Sequence, residues 1–339
     1  MDLVGLNAVA EQLVAPGRGI LAADESTGTI KKRFDGIGVE NTEENRRDYR
    51  ELLFRAQEAM SYISGVILYD ETLWQNAADG TPLVDVIAAA GSLPGIKVDE
   101  GVQPLPGFPD ETITVGLDRL GERLAHYAAR GARFAKWRAV IELSDRQPSS
   151  GAVRANAHAL ARYAALCQAH QIVPIVEPEI LMDGDHDIAR CDEVTRQVLK
   201  TVFDELFHAR VALEGMVLKP NMVVSGKGAA RQASIAEVAE RTIAVLKATV
   251  PSAVPGIAYL SGGQSDETAT AHLDAMNRLG GFPWKMTFSY GRALQAAPQK
   301  AWSGRKENVA KAQQAFAHRA RMNSLASLGQ WEGRLESAA

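Results

Sequence analysis

Eight short apolar runs punctuate the chain, and most of them close on a charged or hydroxyl side chain. The first five are Gly19-Ile-Leu-Ala-Ala-Asp24, Gly65–Asp70, Gly95–Asp99 with Lys97 inside it, Arg133–Val140 and Ile172–Ile180. The sixth, Met216–Leu218, delivers Lys219 at its end. Pro220 follows at once, and strand pairing should stop there, because proline fixes φ and lacks a ladder donor. Gly256–Gly263 and Lys285–Arg292 complete the set. Between the runs, apolar positions recur at helical spacing over 3–14, 45–59, 115–130, 152–170, 187–209, 234–248, 266–278 and 307–328. Asn41-Thr-Glu-Glu-Asn45 starts one of these helices, with a capping residue followed by acids in the first turn. Eight strands alternating with helices, at intervals of roughly 30–45 residues, predict a (β/α)8 TIM barrel. There is no dinucleotide fingerprint, internal repeat or linker, so one domain is expected over 1–339, ending in a short polar tail from 329.

Composition narrows the partners. The 339 residues carry 37 Lys and Arg against 41 Asp and Glu, a net charge of −4, with no long basic block. Nucleic acid and anionic membranes are therefore poor partners, whereas a small anionic substrate needs only local positive charge. Cys167 and Cys191 are the only cysteines, too few and too far apart for a disulfide framework or a zinc site. Asp2 and Glu11 interrupt the apolar N-terminus, which lacks a basic leader, and no run reaches the roughly 18 apolar residues of a membrane span. A cytoplasmic protein is expected. His126, His158, His170, His208, His272 and His318 fall on predicted helices, where surface or capping roles are expected. Trp74, Trp137, Trp284 and Trp302 read as core or loop-anchoring residues.

The chemistry gathers at the strand ends, which is where a barrel of this kind builds its site. In order they carry Asp24, Asp70, Lys97, Lys136 with Arg138, Glu177 with Glu179, Lys219, Ser261, and Ser289 with Arg292. Residues two apart on a strand face the same way, so Lys136 shares a face with Arg138, and Glu177 with Glu179. Lys219 must be a neutral amine to attack a carbonyl; repulsion from a nearby Lys136 would disfavour charging both. Glu177 could then move protons to and from a carbinolamine. Ser261-Gly-Gly263 and Ser289-Tyr-Gly-Arg292 suit a phosphate site of backbone N–H groups and a guanidinium. A second cationic cluster, Ser26, Thr29, Lys32, Arg33 and Lys97, is expected on the opposite side of the mouth. Two anion sites flanking a lysine suggest a bisphosphorylated sugar. Two rival readings use the same residues: Glu177 and Glu179 as a glycosidase pair, or Asp183-Gly-Asp-His-Asp187 with Cys191 as metal ligands. The first leaves two buried lysines unexplained, and acidic residues before a helix are usually caps.

Seven stretches together carry a family resemblance. They are Leu21-Ala-Ala-Asp-Glu-Ser-Thr-Gly28, Asn41-Thr-Glu-Glu-Asn-Arg-Arg47, Phe134-Ala-Lys-Trp-Arg138, Val173-Pro-Ile-Val-Glu-Pro-Glu-Ile180, Leu218-Lys-Pro-Asn-Met222, Leu260-Ser-Gly-Gly-Gln-Ser265 and Phe288-Ser-Tyr-Gly-Arg-Ala-Leu294. The chain thereby resembles class I fructose-bisphosphate aldolase almost continuously from residue 13 to residue 327. The resemblance implies reversible cleavage of fructose 1,6-bisphosphate to dihydroxyacetone phosphate and glyceraldehyde 3-phosphate. It makes Lys219 the Schiff-base lysine, Glu177 the acid/base of iminium formation and Asp24 the carboxylate that takes the C4 hydroxyl proton. Lys136 becomes a charge-tuning lysine held by an ion pair to Glu179. Ser261, Gly262, Gly291 and Arg292 fall to one phosphate, and Ser26, Thr29, Lys32, Arg33, Lys97 and Arg138 to the other phosphate and the sugar backbone. No metal or cofactor is implied, and a homotetramer is. A scaffold without catalysis and an aldolase for a related ketose phosphate are the alternatives. The resemblance breaks at the C-terminus: animal members end in a tyrosine that protonates the enamine, but here the last tyrosine is Tyr290. Water or an active-site residue is expected to protonate the enamine instead.

Overall fold

Alternation along the strands decides the architecture. The computed structural model describes residues 2–337. Its strands are β1 (Gly19–Ala23), β2 (Ile63–Leu68), β3 (Leu93–Lys97), β4 (Val102–Pro104), β5 (Thr112–Thr114), β6 (Phe134–Ile141), β7 (Val173–Ile180), β8 (Val217–Leu218), β9 (Gly256–Tyr259) and β10 (Lys285–Tyr290). Eight of them pair in parallel and close into a barrel in the order β1, β10, β9, β8, β7, β6, β3, β2. The expected (β/α)8 barrel is the fold observed.

Each strand sends alternate residues inward, and the inward series changes character along its length. On β1, Ile20 and Ala22 join the inner apolar cluster, while Leu21 and Ala23 join the outer core against the helices. Phe134 on β6, Val173 and Ile175 on β7, and Val217 on β8 belong to the same inner cluster. Continuing each series by two residues gives Asp24, Lys136, Glu177 and Lys219. One period-two pattern thus builds an apolar floor and sets the charges one layer above it. The helix Leu3–Leu13 closes the floor from below, contributing Leu6, Val9, Ala10 and Leu13. Inward residues such as Ile20, Ile67 and Ile175 are fully buried, each worth roughly 1.5–3 kcal/mol of hydrophobic transfer. A Cβ on Gly95 would run into the Phe134 ring, so the large side chain on one strand requires the absent one on its neighbour.

The long outer helices start where capping chemistry says they should. Ser149, Asp187, Ser234 and Ser265 each accept a backbone N–H of the first turn of the helix that follows. Elsewhere the structure departs from the sequence reading. The helix expected over 115–130 spans only Leu120–Ala129, and β4 and β5 form an antiparallel hairpin before it. Positive φ at Gly116 and Arg119 holds the chain out of helix there. Three unexpected helices follow strand ends, Thr27–Asp35, Asp70–Trp74 and Arg292–Trp302, and a fourth, Leu83–Ala89, leads into β3.

The last expected helix opens as a 3-10 turn at Lys306–Asn308 and runs as α-helix over Val309–Ser327. The tail is not a loose polar end. Gly333–Ser337 forms a 3-10 turn, the Trp331 indole donates to Glu336 at 3.0 Å, and Glu336 pairs with the buried Arg319. Ala338 and Ala339 lie outside the described residues. Trp137, Trp284 and Trp302 are buried as expected, whereas Trp74 is exposed beneath the Arg130 guanidinium. His272 is buried, against the surface role its helix suggested.

Candidate active site

Where the inward series turn polar, the barrel mouth opens into a cavity of about 1330 Å³. Asp24, Lys136, Glu177, Glu179 and Lys219 line it, as do Ser26, Thr29, Lys32, Arg33, Lys97, Arg138, Ser261, Gly262, Ser289, Gly291 and Arg292. Four charges form a linked quartet at its base. Lys219 Nζ lies 3.1 Å from Glu177 Oε1, and Lys136 Nζ lies 2.7 Å from Asp24 Oδ2 and 3.4 Å from Glu177 Oε2. All four side chains are nearly inaccessible, so the attractions act with little solvent screening. Lys219 is placed by the register: its backbone N–H donates to Val176 O at 2.8 Å, although β8 itself ends at Leu218.

The quartet fixes the protonation states of Asp24 and Lys136. Burial alone would raise the Asp24 pKa, but Lys136 and Lys219 outweigh it and hold the carboxyl down at about 2. Burial likewise works against the Lys136 ammonium, and Asp24, Glu177 and Asp99 reverse it, so its net shift is upward. Lys136 is thus a committed cation, engaged by Asp24 and Glu177. The expected ion pair between Lys136 and Glu179 does not form; Glu179 pairs with Arg138 instead. In the β6–β7 register Lys136 lies opposite Ile175, four residues short of Glu179, while Glu179 lies opposite Val140 and reaches diagonally to Arg138, as Glu177 does to Lys136. Burial disfavours the Arg138 cation, yet Glu179 raises its pKa overall.

Two cationic groups sit around the quartet. Lys97 Nζ pairs with Asp99 Oδ1 at 2.6 Å, and Asp99 Oδ2 accepts the Arg138 backbone N–H at 3.2 Å, which ties Lys97 and Arg138 into one group. The other collects around the ends of β9 and β10. Gly262 and Gly263 have φ of +55° and +90°, a turn that few side-chain-bearing residues adopt. Arg292 begins the helix that follows β10, and the buried Ser289 hydroxyl has no hydrogen-bond partner. Arg33 joins this group rather than the opposite one: its Nη2 lies 3.7 Å from where a Cβ of Gly291 would sit. The expectation of Arg33 across the mouth fails because β1 pairs directly with β10 when the barrel closes. Ser26 caps the helix Thr27–Asp35, and its hydroxyl lies 3.1 Å from that of Thr29.

The comparisons with known proteins converge. The family model described as fructose-bisphosphate aldolase class-I matches residues 5–339. A probable fructose-bisphosphate aldolase class 1 of Xanthomonas campestris pv. campestris is 56% identical over 334 residues, covering 98% of this chain and all of the relative. Fructose-bisphosphate aldolase 4, cytosolic, of Arabidopsis thaliana is 54% identical over 97% of this chain and 84% of its own length. The fructose-bisphosphate aldolase of Plasmodium falciparum, solved in complex with TRAP and a small-molecule inhibitor, superposes with a TM-score of 0.96. It is 49% identical and is matched over 98% of this chain and 96% of its own. The chain belongs to the class I fructose-bisphosphate aldolase family.

Class I aldolases are lyases that work through a Schiff base, and three of the residues weighed as metal ligands have other employment here. Asp183 pairs with Lys227 at 2.5 Å, Asp187 caps the helix Ile188–His208, and Cys191 is buried beside Thr195. Glu177 and Glu179 each face a cation, which leaves no free carboxylate pair for a glycosidase. Among the described residues, no helix is long and apolar enough to cross a membrane.

Sequence reasoning also missed residues that shape this aldolase site. Glu25 pairs with Arg33 and accepts Gln295 Nε2 at 2.7 Å, while the buried Arg50 donates to its backbone carbonyl at 2.9 Å. His272 Nδ1 lies 2.6 Å from Gln264 Oε1, and Gln264 Nε2 donates to Ser261 O at 3.0 Å, bracing the Ser261–Gly263 turn from behind. The helical spacing around His272 was visible in the sequence, but its neighbour across the turn was not.

Proposed function

We propose that this protein reversibly cleaves fructose 1,6-bisphosphate into dihydroxyacetone phosphate and glyceraldehyde 3-phosphate, through a Schiff base on Lys219. The observation that carries the reading is the Lys219–Glu177 contact of 3.1 Å inside a buried quartet, with phosphate-suited groups on two sides. The neutral Lys219 amine attacks C2 of the open-chain ketose, and Glu177 delivers the proton that lets the carbinolamine oxygen leave as water. The iminium then accepts the electron pair of the C3–C4 bond. Asp24 takes the C4 hydroxyl proton, and the aldehyde product departs. Because its pKa is about 2, Asp24 is ionised throughout the neutral range and can receive that proton. The remaining enamine is protonated at C3 by water or an active-site acid, and water releases dihydroxyacetone phosphate from Lys219. Arg138 and Lys97 would hold one phosphate and the adjoining sugar hydroxyls; Ser261, Gly262, Ser289, Gly291, Arg33 and Arg292 would hold the other. Ser26, Thr29 and Lys32 complete the rim.

The same reading makes the protein a single-domain cytoplasmic enzyme of sugar-phosphate metabolism, assembled as a homotetramer. Cytosolic naming of the plant relative supports the compartment. Borohydride trapping with dihydroxyacetone phosphate, followed by peptide mass spectrometry, tests the mechanism. A reduced adduct on Lys219, absent in Lys219→Met, is expected. An adduct on another lysine refutes the assignment. No adduct on folded protein overturns catalysis in favour of a scaffold, and an adduct without bisphosphate cleavage points to a related ketose phosphate.

A further inference from the structure

One cation at the mouth takes no part in the chemistry above. Lys227 Nζ pairs with Asp183 Oδ1 at 2.5 Å, and both side chains are about half exposed, 47% and 62%. Both line the cavity. A Cβ on Gly263 would meet Lys227 Nζ at 3.1 Å and Arg292 Nη2 at 3.2 Å, so the ammonium and the guanidinium flank the same point on the glycine turn. Two cations converging on backbone that only glycine leaves open is an arrangement that wants an anion between them.

The base of Lys227 is fixed while its tip is not. The Lys227 backbone N–H donates to Met182 O at 2.8 Å, Gly226 N–H to His186 O at 2.8 Å and Gly228 N–H to Gly184 O at 2.7 Å. These bonds stitch the loop after β8 to the loop after β7 and place Asp183 beside Lys227 as a resident counterion. Resting on the proposed aldolase reading, we propose that Lys227 exchanges Asp183 for the substrate phosphate held at Ser261–Gly263 and Arg292, and so sets affinity for that phosphate. The exchange is easy in this setting. A solvent-exposed lysine–carboxylate pair contributes little, whereas a phosphate dianion against an ammonium and a guanidinium forms stronger, charge-assisted contacts. Asp183 therefore acts as a brake: it neutralises Lys227 in the empty site and competes with substrate in the filled one.

The test is steady-state cleavage of fructose 1,6-bisphosphate by the full chain, with Lys227→Met, Lys227→Arg, Asp183→Asn and the Met/Asn double variant. Lys227→Met should raise KM about 5- to 10-fold, the loss of one charge-assisted contact, and change kcat less than about twofold. Its KM should also depend less steeply on salt, and inorganic phosphate should inhibit it less by a similar factor. Lys227→Arg should restore most of the affinity. Asp183→Asn should lower KM, and only while Lys227 is present. A KM within twofold of wild type in Lys227→Met refutes the proposal, as does an effect of Asp183→Asn that persists in the double variant. Wild-type protein that forms no borohydride adduct would instead overturn the aldolase reading itself.

Discussion

Asp24→Asn tests both the electrostatics and the assigned role, because the two arms of the experiment give opposite answers. The substitution keeps volume and one acceptor oxygen but removes the charge facing Lys136 at 2.7 Å. Lys136 and Lys219 hold Asp24 at about 2, against an ordinary value near 3.9 in an unfolded chain. A gap of roughly two units corresponds to about 2–3 kcal/mol of folding free energy. The sign follows from the depression: this contribution is fully present above pH 4 and is lost as pH falls through the folded value toward 2. Asp24→Asn should therefore be about 2–3 kcal/mol less stable in urea unfolding at pH 7, with the difference narrowing below pH 4. Cleavage should fall by about 10²–10⁴-fold, the range for removing a positioned acid/base, while borohydride trapping on Lys219 persists. Equal stability at pH 7, or a difference that does not change between pH 7 and pH 3, would refute the quartet as described. Loss of trapping together with cleavage would show that Asp24 acts before C–C bond scission.

Two further outcomes concern the surroundings of the site. Burial pushes the His272 pKa down to about 4, so the unfolded chain takes up a proton below pH 6.5 that the folded one refuses. Stability should fall by about 3 kcal/mol between pH 6.5 and 4, and His272→Asn should abolish that slope; an unchanged slope refutes it. Removing residues 331–339 should leave kcat nearly unchanged but lower the urea midpoint, since it strips Trp331 and leaves the buried Arg319 without Glu336, a loss of roughly 3 kcal/mol. A large selective loss of turnover with unchanged stability would instead make the C-terminus catalytic.

The barrel and the quartet were legible because both depend on a period of two. Asp24, Lys136, Glu177 and Lys219 each stand two residues beyond an inward apolar residue of their strand, and a parallel barrel leaves only one place for such positions to meet. Three things were hidden, each for a geometric reason. Glu179 reaches Arg138 rather than Lys136 because the β6–β7 register, which neither strand's sequence states, sets it opposite Val140 and four residues beyond the partner of Lys136. Arg33 stands beside Gly291 because the first strand closes on the last, a contact between residues at opposite ends of the chain. The docking of Trp331 and Glu336 onto Arg319 joins a polar-looking tail to a helix whose exposed face could not be told from its buried one. Local pattern gives the faces of elements; pairing across elements supplies the partners.

The quartet also changes how Lys219 becomes a nucleophile. Repulsion from Lys136 was the expected route, but Lys136 faces Asp24 at 2.7 Å and Glu177 at 3.4 Å, and two carboxylates balance two ammonium groups. A site that is neutral overall has little need to expel a proton to solvent. In the proposed mechanism the 3.1 Å contact from Lys219 to Glu177 is the path for that proton, and Asp24 stays paired with Lys136. The total charge below the mouth is unchanged, so the step avoids the desolvation cost that creating a lone buried charge would carry. The same transfer leaves the proton on the group that must next hand it to the departing carbinolamine oxygen. On the proposed mechanism Lys136 would act chiefly by keeping Asp24 ionised, so its removal should perturb carbon–carbon cleavage more than Schiff-base formation, as cleavage and borohydride trapping measured side by side would show.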